Sequence, residues 1–155
     1  MKQHIYADNA ATTQLDKTAF EAMTPWLIEE YGNASQPYAF ARKPKKALAE
    51  ARCTIAECIG ALPEEIFFTS GGTESDNWVI KSSAFSDSEK RGMITSTFEH
   101  YAVLRSCAAI EHLGYPVAYM CPTKEGYITS EILWKYITDK TRLVSVMYAN
   151  NEIGS

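Results

Sequence analysis

Ile66-Phe67-Phe68-Thr69-Ser70-Gly71-Gly72-Thr73-Glu74-Ser75-Asp76-Asn77 is the stretch that decides how this chain folds. Its apolar start, Ile66-Phe67-Phe68, reads as a buried strand, and the Trp78-Val79-Ile80-Lys81 that follows reads as the body of a helix. Between them, two glycines and a cluster of hydroxyls turn the backbone sharply. Glycine lets the main chain come close to a ligand, and the first turn of a helix presents unpaired N–H groups. That geometry suits an anion, most simply a phosphate, held by the amides of Gly72 and Thr73 and by the Thr73 hydroxyl. The same residues also suit an ordinary strand-to-helix turn with Thr73 as its N-cap. Spacing alone does not separate the two.

Downstream of this turn the pattern alternates between strand and helix. A helix is expected over 74–84, a polar connection over 86–91 and a strand over 92–96. A helix over 100–113 closed by Gly114, a strand over 117–121, a helix near 130–137 and a buried strand over 143–149 follow. Strands separated by helices imply crossovers and a mainly parallel sheet, an α/β fold with flanking helices. Ligands in such sheets bind at the carboxyl ends of the strands. Polar clusters occupy three of those ends: Ser70 to Thr73, Thr97 to His100, and Asn150 to Glu152. His100 can stack on a flat ligand, exchange protons near neutral pH, or simply cap its helix. Asn150-Asn151-Glu152 offers two amides and a carboxylate, or a turn. Together the three ends point to a phosphorylated, flat, polar cofactor.

Upstream, Asp16 is placed to cap a helix running to about Tyr31, with Phe20, Met23 and Leu27 on one face and Gly32 closing it. Pro25 should kink it. A second helix reaches Gly60, with Leu48, Ala51, Ile55 and Ile59 at helical spacing, and Pro44 argues that its regular part starts near Lys43.

Composition bounds the function. The chain has 155 residues, 46% of them hydrophobic, enough for a core, and a formal charge of -4, so no basic surface advertises nucleic-acid binding. Met1-Lys2-Gln3-His4 leads into no long apolar region, so neither a secretory signal nor a membrane segment is expected. Cys53, Cys58, Cys107 and Cys121 lack CxxC spacing, which suggests neither a metal site nor a redox pair. Core packing is the expected place for each of them. A reduced cytoplasmic enzyme fits these features.

Residues 6–13, Gly32-Asn33, residues 68–77, Glu99-His100 and Asn150-Asn151-Glu152-Ile153-Gly154 occur in order and together. In these motifs the chain resembles the N-terminal part of a cysteine desulfurase, in the class V aminotransferase group of fold type I pyridoxal-phosphate enzymes. The resemblance implies that residues 1–15 belong to the small domain and 16–155 to a partial large, cofactor-binding domain. It implies that Gly72 and Thr73 bind the phosphate of pyridoxal 5'-phosphate, that His100 stacks on its ring and serves as a candidate acid/base, and that Asn151 bonds its phenolic oxygen. It implies conversion of L-cysteine to L-alanine through a Schiff base with the cofactor, with sulfur leaving as an enzyme persulfide for iron–sulfur cluster or thiolation pathways. A homodimer and a sulfur-acceptor protein are the implied partners. The sequence departs from the family at Ala34 and Tyr38, where a proline and a histidine are usual, and at Pro44.

In relatives the Schiff-base lysine, the aspartate facing the pyridinium nitrogen and the persulfide cysteine lie downstream of the matched part. The family sheet also pairs the strand before the phosphate loop with strands from that later part. The expectation is therefore a fragment or split product, inactive alone, with exposed apolar edges. A class V enzyme acting on another amino acid and a truncated, non-catalytic binding or assembly chain are the alternative readings.

Overall fold

The computed structural model describes residues 4–86 and 88–155. The first three residues of the expected N-terminal segment, and Asp87 of the expected polar connection, lie outside the described residues. The chain forms two compact units, Met1–Phe68 and Thr69–Ser155.

In the first unit α1 (Lys17–Ile28) begins where Asp16 accepts a hydrogen bond from the Ala19 amide at 3.0 Å. Pro25 sits inside the helix, and the amides of Glu29 and Glu30 both return to its carbonyl, at 2.9 and 2.8 Å. The helix ends there, short of the Tyr31 and Gly32 that the pattern had suggested. After a 3-10 turn, Ala39–Ala41, comes α2 (Arg42–Ile59). Pro44 lies in its first turn, where a missing N–H leaves no helical bond unmade. Gly60 closes it at φ 68° and ψ 31°, a left-handed conformation that glycine adopts without steric cost. Arg52 donates from Nε to the Ile66 carbonyl at 3.0 Å and sets its guanidinium 5.1 Å from the Phe68 ring centre. The predicted apolar faces form, yet Phe20, Met23, Leu27, Leu48, Ile55 and Ile59 are all exposed; Ala41 and Ala56 are the buried hydrophobics among this unit's described residues.

Ile66-Phe67-Phe68 departs from expectation. Ile66 is extended, at φ -94° and ψ 122°, but the run joins no sheet among the described residues, and Phe67 and Phe68 are 65% and 45% exposed. A strand needs a neighbour to complete its ladder and to cover its side chains. The sheet assigned among the described residues does not include it.

The second unit carries the parallel sheet that the alternating pattern implied. β1 (Gly92–Ser96) is central, flanked by β2 (Val117–Met120) and β3 (Thr141–Ser145), both parallel to it, in the order β2-β1-β3. Ile94 aligns with Ala118 on one side and Val144 on the other. α3 (Gly72–Phe85) supplies Ile80 and Ala84, and α4 (Tyr101–His112) supplies Val103, Cys107 and Ile110, to one buried cluster with Met93. Their spacing gives each helix a single inward face. α5 (Ser130–Leu133) is one turn, shorter than expected. β3 is also shorter than the predicted strand. It alternates between partly covered and exposed residues, because Leu143 packs on the core while Val144 faces the uncovered side.

Candidate functional site

Gly71, at φ 157° and ψ 177°, is the N-cap of α3, and the amides of Glu74 and Ser75 return to its carbonyl at 3.1 and 3.2 Å. Gly72 and Thr73 are therefore the first two helical residues, and Thr73 is not the cap. Their amides and the Thr73 hydroxyl make no hydrogen bond among the described residues. Neighbouring polar groups are already engaged. The Thr69 hydroxyl donates to the Gly71 carbonyl at 3.2 Å and lies 2.7 Å from Ser75 Oγ, and Asn77 Nδ2 donates to the Thr73 carbonyl at 2.9 Å. Glu74 accepts from the Ser70 amide at 2.6 Å and the Ser70 hydroxyl at 2.7 Å. The hydroxyl first and the amide second hold the Glu74 carboxyl below its ordinary range. The donors left for an anion are thus two amides and one hydroxyl. The space beside Gly72 is open: a Cβ there would meet nothing within 4 Å.

His100 caps α4. Its Nδ1 accepts from the Ala102 amide at 3.1 Å, which is the plain structural role that the sequence also allowed. The capping bond uses one ring nitrogen, so in the neutral imidazole the hydrogen sits on Nε2. The ring is exposed and borders two hollows. One, of 290 Å³ between α3 and α4, has Thr73, Asn77, Lys81 and Arg105 in its walls. The other, of 390 Å³, is lined by Glu99, Met147, Asn150 and Asn151 among others. Thr73 and His100 therefore share one hollow and His100 and Asn151 the other; Gly72 is in the wall of neither.

Asn151 is exposed, and its side chain has no hydrogen bond among the described residues. Asn150 differs from it entirely. It is buried, donates from Nδ2 to the Phe98 carbonyl at 2.8 Å, and accepts at Oδ1 from the amides of Glu152 and Ile153 at 2.8 and 3.1 Å. Sequence reading grouped it with Asn151 as a ligand amide; the structure makes it a turn-former. Glu99 received no role from the residues. It is buried too, and its Oε1 accepts from the Ser96 hydroxyl at 2.7 Å and the Met147 amide at 2.8 Å. The available signal was an acid just beyond a buried strand, which must find donors if it turns inward.

Of the cysteines, Cys107 alone matches the expectation of core packing: it is buried, and burial, then the charges of Glu99 and Glu111, push its thiol up to about 11. Cys53, Cys58 and Cys121 are exposed. The core expected around them does not cover them. Among the described residues no group of three His, Cys, Asp or Glu could hold a metal ion, and no helix is long and apolar enough to cross a membrane.

A parallel sheet whose surroundings present helix-end amides, an imidazole and an amide is the α/β architecture of the fold type I pyridoxal-phosphate enzymes, here in its N-terminal portion. Residues 5–155 match the family model of aminotransferase class V, and the chain belongs to that family, whose enzymes depend on pyridoxal phosphate. It is 47% identical to a cysteine desulfurase IscS of Dictyoglomus turgidum over 100% of its own length and 40% of that protein. Against the cysteine desulfurase IscS of Methanosarcina thermophila it is 46% identical over 97% of the chain and 38% of the relative. Among solved structures, a NifS-like protein superposes with a TM-score of 0.91 at 37% identity, covering 96% of this chain and 41% of that one. SspA, solved in complex with cysteine, gives 0.89 at 38%, covering 95% of this chain and 43% of SspA. The chain thus spans about two fifths of the length of the relatives it matches.

Proposed function

We propose that this chain is the cofactor-gripping part of a pyridoxal-phosphate-dependent cysteine desulfurase, an enzyme that takes sulfur from L-cysteine and leaves L-alanine and an enzyme persulfide. One observation carries the reading: His100 borders both the hollow that holds Thr73 and the hollow that holds Asn151. Whole-chain likeness to cysteine desulfurases supports it, as does the cysteine bound to SspA.

In this reading the amides of Gly72 and Thr73 and the Thr73 hydroxyl bind the phosphate, a use that their unengaged state and the open space beside Gly72 favour. The His100 ring lies against the pyridine face and, with Nδ1 engaged at Ala102, handles a proton at Nε2. The Asn151 amide donates to the phenolic oxygen. When bound, the cofactor supplies an electron sink for the amino-acid substrate.

The covalently linking lysine and the persulfide cysteine are assigned outside these 155 residues; none of the four cysteines lines either hollow. Residues 1–15 are assigned to the small domain and 16–155 to the large one. A homodimer, a protein sulfur acceptor feeding iron–sulfur cluster assembly, and a cytoplasmic location complete the reading. The free cysteines accord with that compartment.

Titration of the chain with pyridoxal 5'-phosphate, followed by absorbance and fluorescence, tests it. Saturable binding is expected, weakened about tenfold by Thr73→Ala and by His100→Ala, with no sulfide released from L-cysteine. Binding indifferent to both substitutions, or a borohydride-stable link to a lysine of this chain, would overturn it.

A further inference from the structure

Register pairing of β1 with β3 ends at Thr95 and Ser145; beyond those residues no ladder holds the two connecting loops together. Two buried side chains do so instead, in opposite directions. Glu99, in the loop after β1, accepts at Oε1 from the Met147 amide in the loop after β3, at 2.8 Å, and from the Ser96 hydroxyl at 2.7 Å. Asn150, in the loop after β3, donates to the Phe98 carbonyl in the loop after β1 at 2.8 Å, and its Oδ1 gathers the amides of Glu152 and Ile153. The two residues are 7% and 5% exposed, so water competes poorly for these bonds. Each stands immediately before a proposed cofactor contact: Glu99 before His100, and Asn150 before Asn151. Both contacts border the same hollow.

We propose that Glu99 and Asn150 are positioning residues, a reciprocal clamp that sets His100 and Asn151 against one hollow. Glu99 has no ion-pair partner among the described residues. Its work is done by one acceptor oxygen, not by charge. Glutamine retains such an oxygen, and alanine does not. The cofactor named rests on the function proposed above; the clamp itself does not.

The test is made on the whole 155-residue chain by nuclear magnetic resonance, following the His100 ring nitrogens, the Asn151 side-chain amide and backbone amide exchange. Glu99→Ala is expected to displace both side-chain signals and to speed exchange at Met147 by about tenfold or more. Glu99→Gln restores both. Asn150→Asp keeps the acceptor for Glu152 and Ile153 but faces the Phe98 carbonyl with a second acceptor, so the His100 and Asn151 signals move while protection at Glu152 and Ile153 persists. Ile110→Ala, which loosens the core without touching the clamp, lowers the melting temperature and leaves the His100 and Asn151 signals in place. The clamp is overturned if Glu99→Ala leaves those signals at their parent positions, or if Ile110→Ala moves them as far. Should Glu99→Ala not fold, Glu99→Gln decides: parent-like signals support the clamp, and displaced signals in a folded protein sink it. Affinity for pyridoxal 5'-phosphate, measured on the same samples, is expected to fall about tenfold in Glu99→Ala. A parent chain that binds none counts against the cofactor reading alone, since the resonance readouts need no ligand.

Discussion

The two units of this chain contrast in what their apolar residues accomplish. In Thr69–Ser155, Ile80, Met93, Ile94, Ile110 and Met120 are no more than 3% exposed, whereas in Met1–Phe68 the described residues bury only Ala41 and Ala56 and leave Phe20, Trp26, Leu27 and Leu48 in solvent. Both units contain well-delimited helices. What differs is opposition: α3 and α4 have a sheet strand and each other to pack on, while the apolar faces of α1 and α2 stay open. Capping by Asp16 and the left-handed stop at Gly60 delimit helices locally, but burial at roughly 25 cal/mol per Å² requires a second surface.

The contrast can be broken most severely by separation. Residues 69–155 alone are expected to melt cooperatively, while residues 1–68 show helical circular dichroism that fades without a sigmoidal transition; a cooperative melt of the latter would undo the contrast. Next in size, Ile110→Ala should cost about 2–5 kcal/mol in denaturant unfolding. Thiol reactivity sharpens the picture further. With Cys107 pushed to about 11, its thiolate at neutral pH is on the order of a hundredfold scarcer than that of an ordinary cysteine. Iodoacetamide followed by peptide mapping should label Cys53, Cys58 and Cys121 and spare Cys107 until unfolding. The thiol ionises more readily unfolded than folded, so its contribution to stability is complete below about 9 and is lost as pH rises towards about 11, and Cys107→Ala should remove that component of the alkaline loss. Asp16→Ala should cost about 1 kcal/mol through the lost cap on α1. Smallest of all, Leu27→Ala should stay within about 0.5 kcal/mol, because the residue is already 64% exposed.

Legibility in the sequence followed the range of the interaction. Short-range signals were readable: Asp16 and Gly60 as helix ends, Gly114 after α4, and the alternation that makes the sheet parallel. The turn at Gly72 and Thr73 was readable as a helix start with unengaged amides, because such amides are a property of any helix start. Long-range pairing was not readable. Ile66-Phe67-Phe68 has the composition of a strand, but whether a strand exists depends on a neighbour elsewhere in the molecule. Asn150 and Asn151 are the same residue type side by side, and the Phe98 carbonyl, far away in sequence, together with the amides of Glu152 and Ile153, engages one side chain and leaves the other without a hydrogen bond among the described residues. The role of Glu99 was not readable for the same reason, since its partner Met147 lies on another strand's loop.

The cap on α4 has a consequence for the ring that makes it. Because Nδ1 of His100 receives the Ala102 amide, a hydrogen placed on that nitrogen would point at another N–H and unseat the first turn of the helix. The ring is therefore directional: Nδ1 is committed to the helix, and Nε2 is the nitrogen left without a hydrogen bond among the described residues. The imidazole proposed to lie against the cofactor is in this way wired to the start of the helix that carries Val103, Cys107 and Ile110 into the core.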